Sequence, residues 1–78
     1  MTIEIINPDE TIYSGEAELV QLPGKDGSFE ILKNHAPLIS VLKAGKIKIV
    51  DKNKKEQFFE ITGGVIEVLR NKVLILAG

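Results

Sequence analysis

The chain has 78 residues, no cysteine and one histidine, and its ten basic and eleven acidic residues leave a formal charge of −1. One small domain, residues 1–78, is therefore expected, without disulfides or a metal site. The balanced charge argues against nucleic acid as a partner, and no apolar run approaches the ~20 residues that span a bilayer. No signal-peptide pattern begins the chain. These features predict a soluble, cytosolic protein without a cofactor or direct membrane insertion.

Alternating apolar and polar residues predict nine short strands along the chain. They cover residues 2–6, 11–14, 16–22, 28–32, 38–42, 46–50, 56–62, 65–69 and 72–77. The strongest turn signal is Pro23-Gly24-Lys25-Asp26-Gly27, and the pair Gly63-Gly64 predicts a kink or a close backbone approach. No window of helical length carries an apolar stripe. We expect an all-β fold, a flattened sandwich or barrel of about eight to ten short strands.

The last predicted strand is apolar on both faces. Its core, Val73-Leu74-Ile75-Leu76, contains no polar residue. A terminal strand in so small a domain cannot easily bury both faces, so one face is expected to serve a partner. A domain without disulfides or metals also gains stability by docking on a larger protein. Both arguments predict a subunit.

The corner Asn34-His35-Ala36-Pro37-Leu38 contains the only histidine of the chain. Pro37 fixes its own φ and keeps Ala36 out of the helical region, so the segment is an extended corner. Two roles for His35 remain open. It is a catalytic or switching group, or a polar residue that fixes a surface for a partner, and a hydrogen-bonded corner residue is favoured over a proton-transfer role.

Evidence for an enzyme is weak. Ser40, His35 and Asp26 would supply the residue types of a catalytic triad, but the chain lacks a motif such as G-x-S-x-G that gives a triad meaning. The turn Gly24–Gly27 lacks the spacing of a phosphate loop and precedes no helix. We therefore expect no catalytic residues.

A second class of function comes from the predicted hairpin tip Lys52-Asn53-Lys54-Lys55. Lipoyl and biotinyl carrier domains are β-barrels of similar length with a modified lysine on a tight hairpin. Their usual Asp-Lys-Ala or Met-Lys-Met signature is missing, because Asn53 follows Asp51-Lys52. A solvated basic tip is the ordinary interpretation of such a run. The carrier domain is kept as the alternative.

Four sequence blocks are shared with a known family. They are Leu22-Pro23-Gly24 with Gly27 and Phe29; Ile31-Leu32 through Asn34-His35-Ala36-Pro37-Leu38; Gly45 with Ile47 and Ile49; and Phe59-x-Ile61-x-Gly63-Gly64-Val65-x-Glu67-Val68 with Asn71-x-Val73-x-Ile75-Leu76-Ala77. Over essentially the whole chain, these blocks resemble the N-terminal domain of the ATP synthase epsilon subunit. The N-H-A-P-L and G-G-x-x-E-V blocks are its most specific parts.

The resemblance implies a non-catalytic rotor subunit that couples the gamma subunit to the c-ring, so that proton or sodium-ion flow drives ATP synthesis. It implies a gamma contact on an apolar strand face with His35, Ser40 and Leu42. It also implies that the loop with Asp26, Ser28 and Glu30 faces the polar loops of the c-ring. The complex would lie on the cytoplasmic face of the bacterial inner membrane.

The chain departs from the family pattern in two places. The family usually has glycine where this chain has Glu30, and a charged side chain there is expected to point outward. The familiar form also continues after Leu76-Ala77 into two helices that restrain ATP hydrolysis. Either the subunit is naturally short or the 78 residues are a segment of a longer chain. The expectation is a coupling domain without the inhibitory helices.

Overall fold

The computed structural model describes residues 1–78 as seven β-strands. They are β1 (Thr2–Ile6), β2 (Thr11–Glu16), β3 (Leu19–Gly24), β4 (Gly27–Leu32), β5 (Leu38–Val50), β6 (Glu56–Leu69) and β7 (Lys72–Ala77). They form one sheet with the strand order β2-β1-β7-β6-β5-β3-β4. Only β1 and β7 run parallel. Because the edge strands β2 and β4 do not pair with each other, the sheet remains open and does not close into a barrel.

The all-β prediction is confirmed, but the strands are fewer and longer than the sequence suggested. Predicted strands 38–42 and 46–50 are the two halves of β5, and predicted strands 56–62 and 65–69 are the two halves of β6. Gly45 and the Gly63-Gly64 pair do not interrupt the ladder, whose register is constant from Leu38↔Val68 to Val50↔Glu56. The nine predicted strands therefore merge into seven.

A further boundary also differs from the prediction. Gly15 was expected to end a strand, yet β2 continues through it to Glu16. The chain leaves the strand at Ala17 and Glu18, where the Glu18 amide donates to the Val50 carbonyl at 2.8 Å. Residues 16 and 19 thus belong to different strands, and the predicted strand 16–22 is divided between β2 and β3.

The long hairpin β5–β6 passes from one layer of the fold to the other. In β5 the even-numbered Leu42 is buried in the first half, whereas the odd-numbered Ile47 and Ile49 are buried in the second. A strand that crosses between two facing layers without rotating must present opposite faces to the interior. The first layer contains β2, β1, β7 and the adjoining halves of β6 and β5. The second contains β4, β3 and the remaining halves.

Gly63 and Gly64 occupy the crossing in β6. Their φ angles are 148° and 155°, a region that L-residues rarely adopt. A Cβ at residue 64 would also collide with the carbonyl oxygen of Leu76 on the neighbouring strand. The predicted close backbone approach is therefore present, and it lies where the hairpin changes layers.

One hydrophobic core lies between the layers. Sixteen buried apolar residues form it, and Tyr13, Phe29, Leu38 and Phe59 pack against it. Ile47 and Ile49 point inward while Lys46 and Lys48 lie on the opposite face, as the alternation predicts. Phe59 and Ile61 likewise face the core, and Glu30 is exposed as expected.

Candidate partner-binding surface

The outer side of the first layer carries a continuous apolar row. The ladder places Val41 opposite Val65, Val65 opposite Leu76, and Leu76 opposite Ile6. Val41 is 53% exposed and Leu76 is 46% exposed. Apolar side chains are normally scattered singly over a surface, so a row across four strands is typical of an interaction site.

A second row runs beside the first. Ile39, the most exposed large apolar residue at 73%, lies opposite Glu67, and Glu67 lies opposite Leu74. Leu69 follows on β6 and is also exposed. A shallow cleft of about 370 Å³ opens here; it is lined by Pro37, Leu38, Ile39, Glu67, Val68 and Leu69. We call the exposed side chains of Ile39, Val41, Val65, Leu69 and Leu76 the outer apolar face.

The predicted contact residue Leu42 does not belong to this face. It is only 3% exposed and forms part of the core; its contact with a partner stays a prediction that this burial does not support. Successive strand residues point to opposite sides, and the neighbours Ile39 and Val41 therefore point outward. The run Leu38–Leu42 carries apolar residues on both sides, with Ser40 as its one polar residue, so its sequence alone did not show which side faces water. Ile39 and Val41 were missed for this reason.

Ser40 lies beside the β3–β4 turn. A cavity of about 320 Å³ is lined by Ser40 and by residues 24–29 of the turn. The backbone amide of Lys25 donates to the Val41 carbonyl at 3.1 Å, which fastens the turn to β5. The structure thus brings Ser40 next to Asp26 and Ser28, two residues predicted to face a different partner.

The β3–β4 hairpin presents the predicted ring-facing residues to solvent. Asp26 is at its tip, while Ser28 and Glu30 are exposed on the edge strand β4. The side chain of Gln21 donates to the Ser28 hydroxyl at 3.2 Å. The hairpin is a two-residue turn closed by the Gly24↔Gly27 pair, and Pro23 is buried behind it. The three polar residues therefore form one exposed strip.

His35 lies on the exposed corner between β4 and β5, before Pro37. Its amide donates to the Leu32 carbonyl at 3.2 Å, and its Nδ1 atom lies 2.7 Å from the carbonyl oxygen of Ala36. No hydrogen bond joins His35 to Ser40 or Asp26. The three residue types of a triad are thus present without the hydrogen-bonded arrangement that nucleophilic catalysis requires.

The basic tip is a hairpin loop between β5 and β6. The Asp51 carboxylate accepts from the backbone amides of Asn53 at 2.8 Å and Lys55 at 3.0 Å. Lys52 and Lys54 are exposed there. No cluster of three or more His, Asp or Glu side chains is arranged to hold a metal ion.

The chain also contains no helix long and apolar enough to span a membrane.

An open β-sandwich with an apolar outer face and an exposed polar hairpin is typical of protein-interaction domains. The family model of the ATP synthase delta/epsilon chain β-sandwich domain matches residues 1–78, and the chain belongs to this family. This membership confirms the resemblance read from the four sequence blocks. It replaces the lipoyl or biotinyl carrier alternative.

Relatives at the sequence level carry the same family name. The ATP synthase epsilon chain of Chlorobium limicola is 43% identical over 74 residues, covering 95% of this chain and 84% of that one. The epsilon chain of Chlorobaculum tepidum is 41% identical over 75 residues, with 96% and 85% covered. That of Alkalilimnicola ehrlichii is 39% identical over 75 residues, covering 96% of this chain. This chain spans only 54% of the Alkalilimnicola relative.

Solved structures show the same fold. A chain of the Euglena gracilis mitochondrial ATP synthase OSCP/F1/c-ring assembly matches with a TM-score of 0.90 at 19% identity, covering 96% of this chain and 48% of that one. A chain of the Tetrahymena thermophila mitochondrial ATP synthase central stalk/c-ring matches with a TM-score of 0.80 at 18% identity, covering 97% and 61%.

Proposed function

We propose that this chain is a non-catalytic rotor subunit of an F-type ATP synthase. In this role it joins the gamma subunit to the c-ring, so that proton or sodium-ion flow is transmitted to ATP synthesis without slip. The observation that carries the proposal is the outer apolar face, present in a domain of the ATP synthase delta/epsilon family. The solved relatives occur in assemblies that contain a c-ring, and one is described as a central stalk.

The outer apolar face is the proposed gamma contact. Burial of apolar surface stabilises a complex by roughly 25 cal/mol per Å², and Ile39, Val41 and Leu76 are about half exposed or more before any partner binds. His35 and Ser40 remain predicted contacts; His35 is on the corner beside this face, whereas Ser40 points to the opposite side of β5 and lines the cavity beside the β3–β4 turn. Leu42, the third predicted contact, packs in the core on the opposite side of the same strand.

The exposed strip of Asp26, Ser28 and Glu30 is the proposed c-ring contact. Its side chains are polar and exposed, which suits contact with polar loops rather than with a hydrophobic surface. Individual contacts of this kind contribute below ~1 kcal/mol each. The ring contact is therefore expected to depend on several weak interactions, while the gamma contact supplies most of the affinity.

The proposed location follows from the partners. A domain bound to gamma and resting on the c-ring lies at the cytoplasmic face of the bacterial plasma membrane, attached through the complex and without inserting into lipid. Catalysis belongs to other subunits of the complex, and this domain uses no metal or cofactor in the proposed role.

The test is binding to the gamma subunit of the same ATP synthase, measured with the purified 78-residue chain. Ile39→Asp places a charge on the outer apolar face, at its most exposed residue, and is expected to reduce affinity more than tenfold, because the charge must be desolvated. Phe58→Asp is the matched control, since Phe58 is 56% exposed on the second layer. It is expected to bind normally. Unchanged binding by a folded Ile39→Asp variant would contradict the proposal.

A further inference from the structure

Asn71 connects three separate segments of the chain. It lies in the two-residue turn between β6 and β7, with a φ of 62°. Its backbone carbonyl accepts from the amide of Thr2 at 3.1 Å, at the start of β1. Its side-chain oxygen Oδ1 accepts from the amide of Asn34 at 2.9 Å, across 37 residues of sequence. A single turn residue thus touches both the first strand and the His35 corner.

The corner has few other constraints. Residues 33–37 are all exposed and pass from the second layer to the first. Besides the Asn71 bond, the backbone bond from His35 to Leu32 holds the corner. Lys33 pairs with Glu18 at 2.8 Å, but both side chains are largely exposed, and such pairs contribute little. Asn71 is therefore the only side chain outside the corner that accepts a hydrogen bond from its backbone.

The backbone at both ends of this bond is left-handed. Asn34 has a φ of 61° and Asn71 a φ of 62°. Asparagine is one of the few residues other than glycine that adopts this conformation readily. Substitution of either residue by glycine therefore keeps the backbone geometry. Only the change at residue 71 removes the hydrogen bond, because residue 34 contributes its backbone amide.

The corner leads directly into the outer apolar face. Pro37 and Ile39 line the same cleft as Leu69, which immediately precedes the β6–β7 turn. The Asn34–Asn71 bond lies at the end of this cleft where the corner meets the β6–β7 turn, and the walls themselves, β5 and β6, are already paired through Leu38↔Val68 and Ile39↔Glu67.

We propose that Asn71 is a positioning residue for the gamma contact. Through its side-chain oxygen it holds the corner from Asn34 to Pro37 at the border of the outer apolar face. The affinity for gamma then depends on a hydrogen bond that acts through the corner. This inference rests on the proposed function, because it assumes that the cleft beside the corner receives a segment of gamma.

Three variants of the full chain and one surface control test the proposal. Asn71→Gly removes the acceptor, and it is expected to weaken gamma binding about three- to tenfold, the range for one lost hydrogen bond. Asn71→Asp keeps an acceptor oxygen and is expected to bind within about twofold of the original chain. Asn34→Gly keeps the donating amide and is also expected to bind normally. Glu18→Gln, which breaks the nearby ion pair, serves as a surface control.

Hydrogen exchange of the Asn34 amide provides a second readout that does not require gamma. Exchange is expected to accelerate about three- to tenfold in Asn71→Gly and to remain slow in Asn71→Asp, because protection follows the hydrogen bond. A role limited to stability would lower the melting temperature of Asn71→Gly and leave the affinity of the folded chain unchanged.

The outcomes separate this inference from the proposed function. If the original chain does not bind gamma, the proposed function is wrong and the inference falls with it. If the original chain binds, the variants decide the inference alone. Equal affinity of Asn71→Gly and the original chain would overturn it, and so would equal losses in Asn71→Gly and Asn34→Gly.

Discussion

The rings of Tyr13 and Phe59 meet across the core, with centroids 5.1 Å apart and planes inclined by 50°. Tyr13 is on β2 and Phe59 is on β6, and β1 and β7 lie between these strands in the ladder. Because the two strands are not neighbours in the ladder, this contact joins the two layers of the sandwich. Phe59 belongs to the half of β6 that lies in the second layer.

This contact predicts energetic coupling between the two rings. In a double-mutant cycle, Tyr13→Leu and Phe59→Leu are expected to show a coupling of about 0.5–1.5 kcal/mol in the free energy of unfolding. Chemical denaturation measures it. Phe58→Leu is the control, because Phe58 is exposed and is expected to change stability by less than about 0.5 kcal/mol. Additive effects of the two ring substitutions would contradict the proposed link between the layers.

The crossing in β6 predicts a strong requirement for glycine at residue 64. Gly64→Ala combines an unfavourable φ with a collision against the Leu76 carbonyl, and it should lower the free energy of unfolding by more than about 2 kcal/mol. Gly27→Ala is the matched control. Residue 27 has a φ of 136°, but a Cβ there meets nothing within 4 Å, so only the backbone strain is added. Equal losses in the two variants would show that the close approach contributes nothing.

The opposite orientations of Leu42 and Ile39 predict opposite effects on stability. Leu42→Ala leaves a cavity in the core and is expected to cost about 2–4 kcal/mol of unfolding free energy. Ile39→Ala removes a side chain that is 73% exposed and is expected to cost less than about 1 kcal/mol. Thermal or denaturant unfolding distinguishes them. A Leu42→Ala variant as stable as Ile39→Ala would place residue 42 on the surface after all.

The polar strip on the β3–β4 hairpin predicts a cumulative effect on coupling. Single alanine substitutions at Asp26, Ser28 or Glu30 are expected to be nearly silent, because surface polar contacts contribute below ~1 kcal/mol each. The triple variant is expected to reduce the ions pumped per ATP hydrolysed in reconstituted enzyme, with gamma binding unchanged. Normal pumping by the triple variant would remove this strip from the ring contact.

Most strand positions could be predicted from the sequence because the alternation is regular where one face is buried. Lys46 to Val50 is the clearest case, with its isoleucines inward. The continuity of β5 and β6 could not be predicted in the same way. In the sequence, Gly45 and Gly63-Gly64 separate predicted strands. In the structure, the long hairpin changes layers at these glycines while its two strands stay paired.

The candidate site was predicted only in part. The sequence indicated an unpaired apolar face and the exposed hairpin strip, but it selected Leu42, which is buried, and not its exposed neighbours Ile39 and Val41. Where a strand carries apolar residues on both sides, as from Leu38 to Leu42, the sequence pattern does not show which side is buried. Only the packing of the second layer decides it. The bond between Asn34 and Asn71 joins residues 37 positions apart and has no local sequence signal.

The proposed coupling of the rotor to ion flow by this domain is tested by ATP-driven ion pumping. An ATP synthase depleted of its epsilon subunit is reconstituted into vesicles, and the purified 78-residue chain is added back. The original chain is expected to restore pumping without strong inhibition of ATP hydrolysis. Ile39→Asp is expected to fail to restore pumping, whereas Phe58→Asp is expected to succeed. The coupling role would be ruled out if pumping stayed at the depleted level with the original chain, and the outer apolar face would be ruled out as the contact if Ile39→Asp restored pumping equally well.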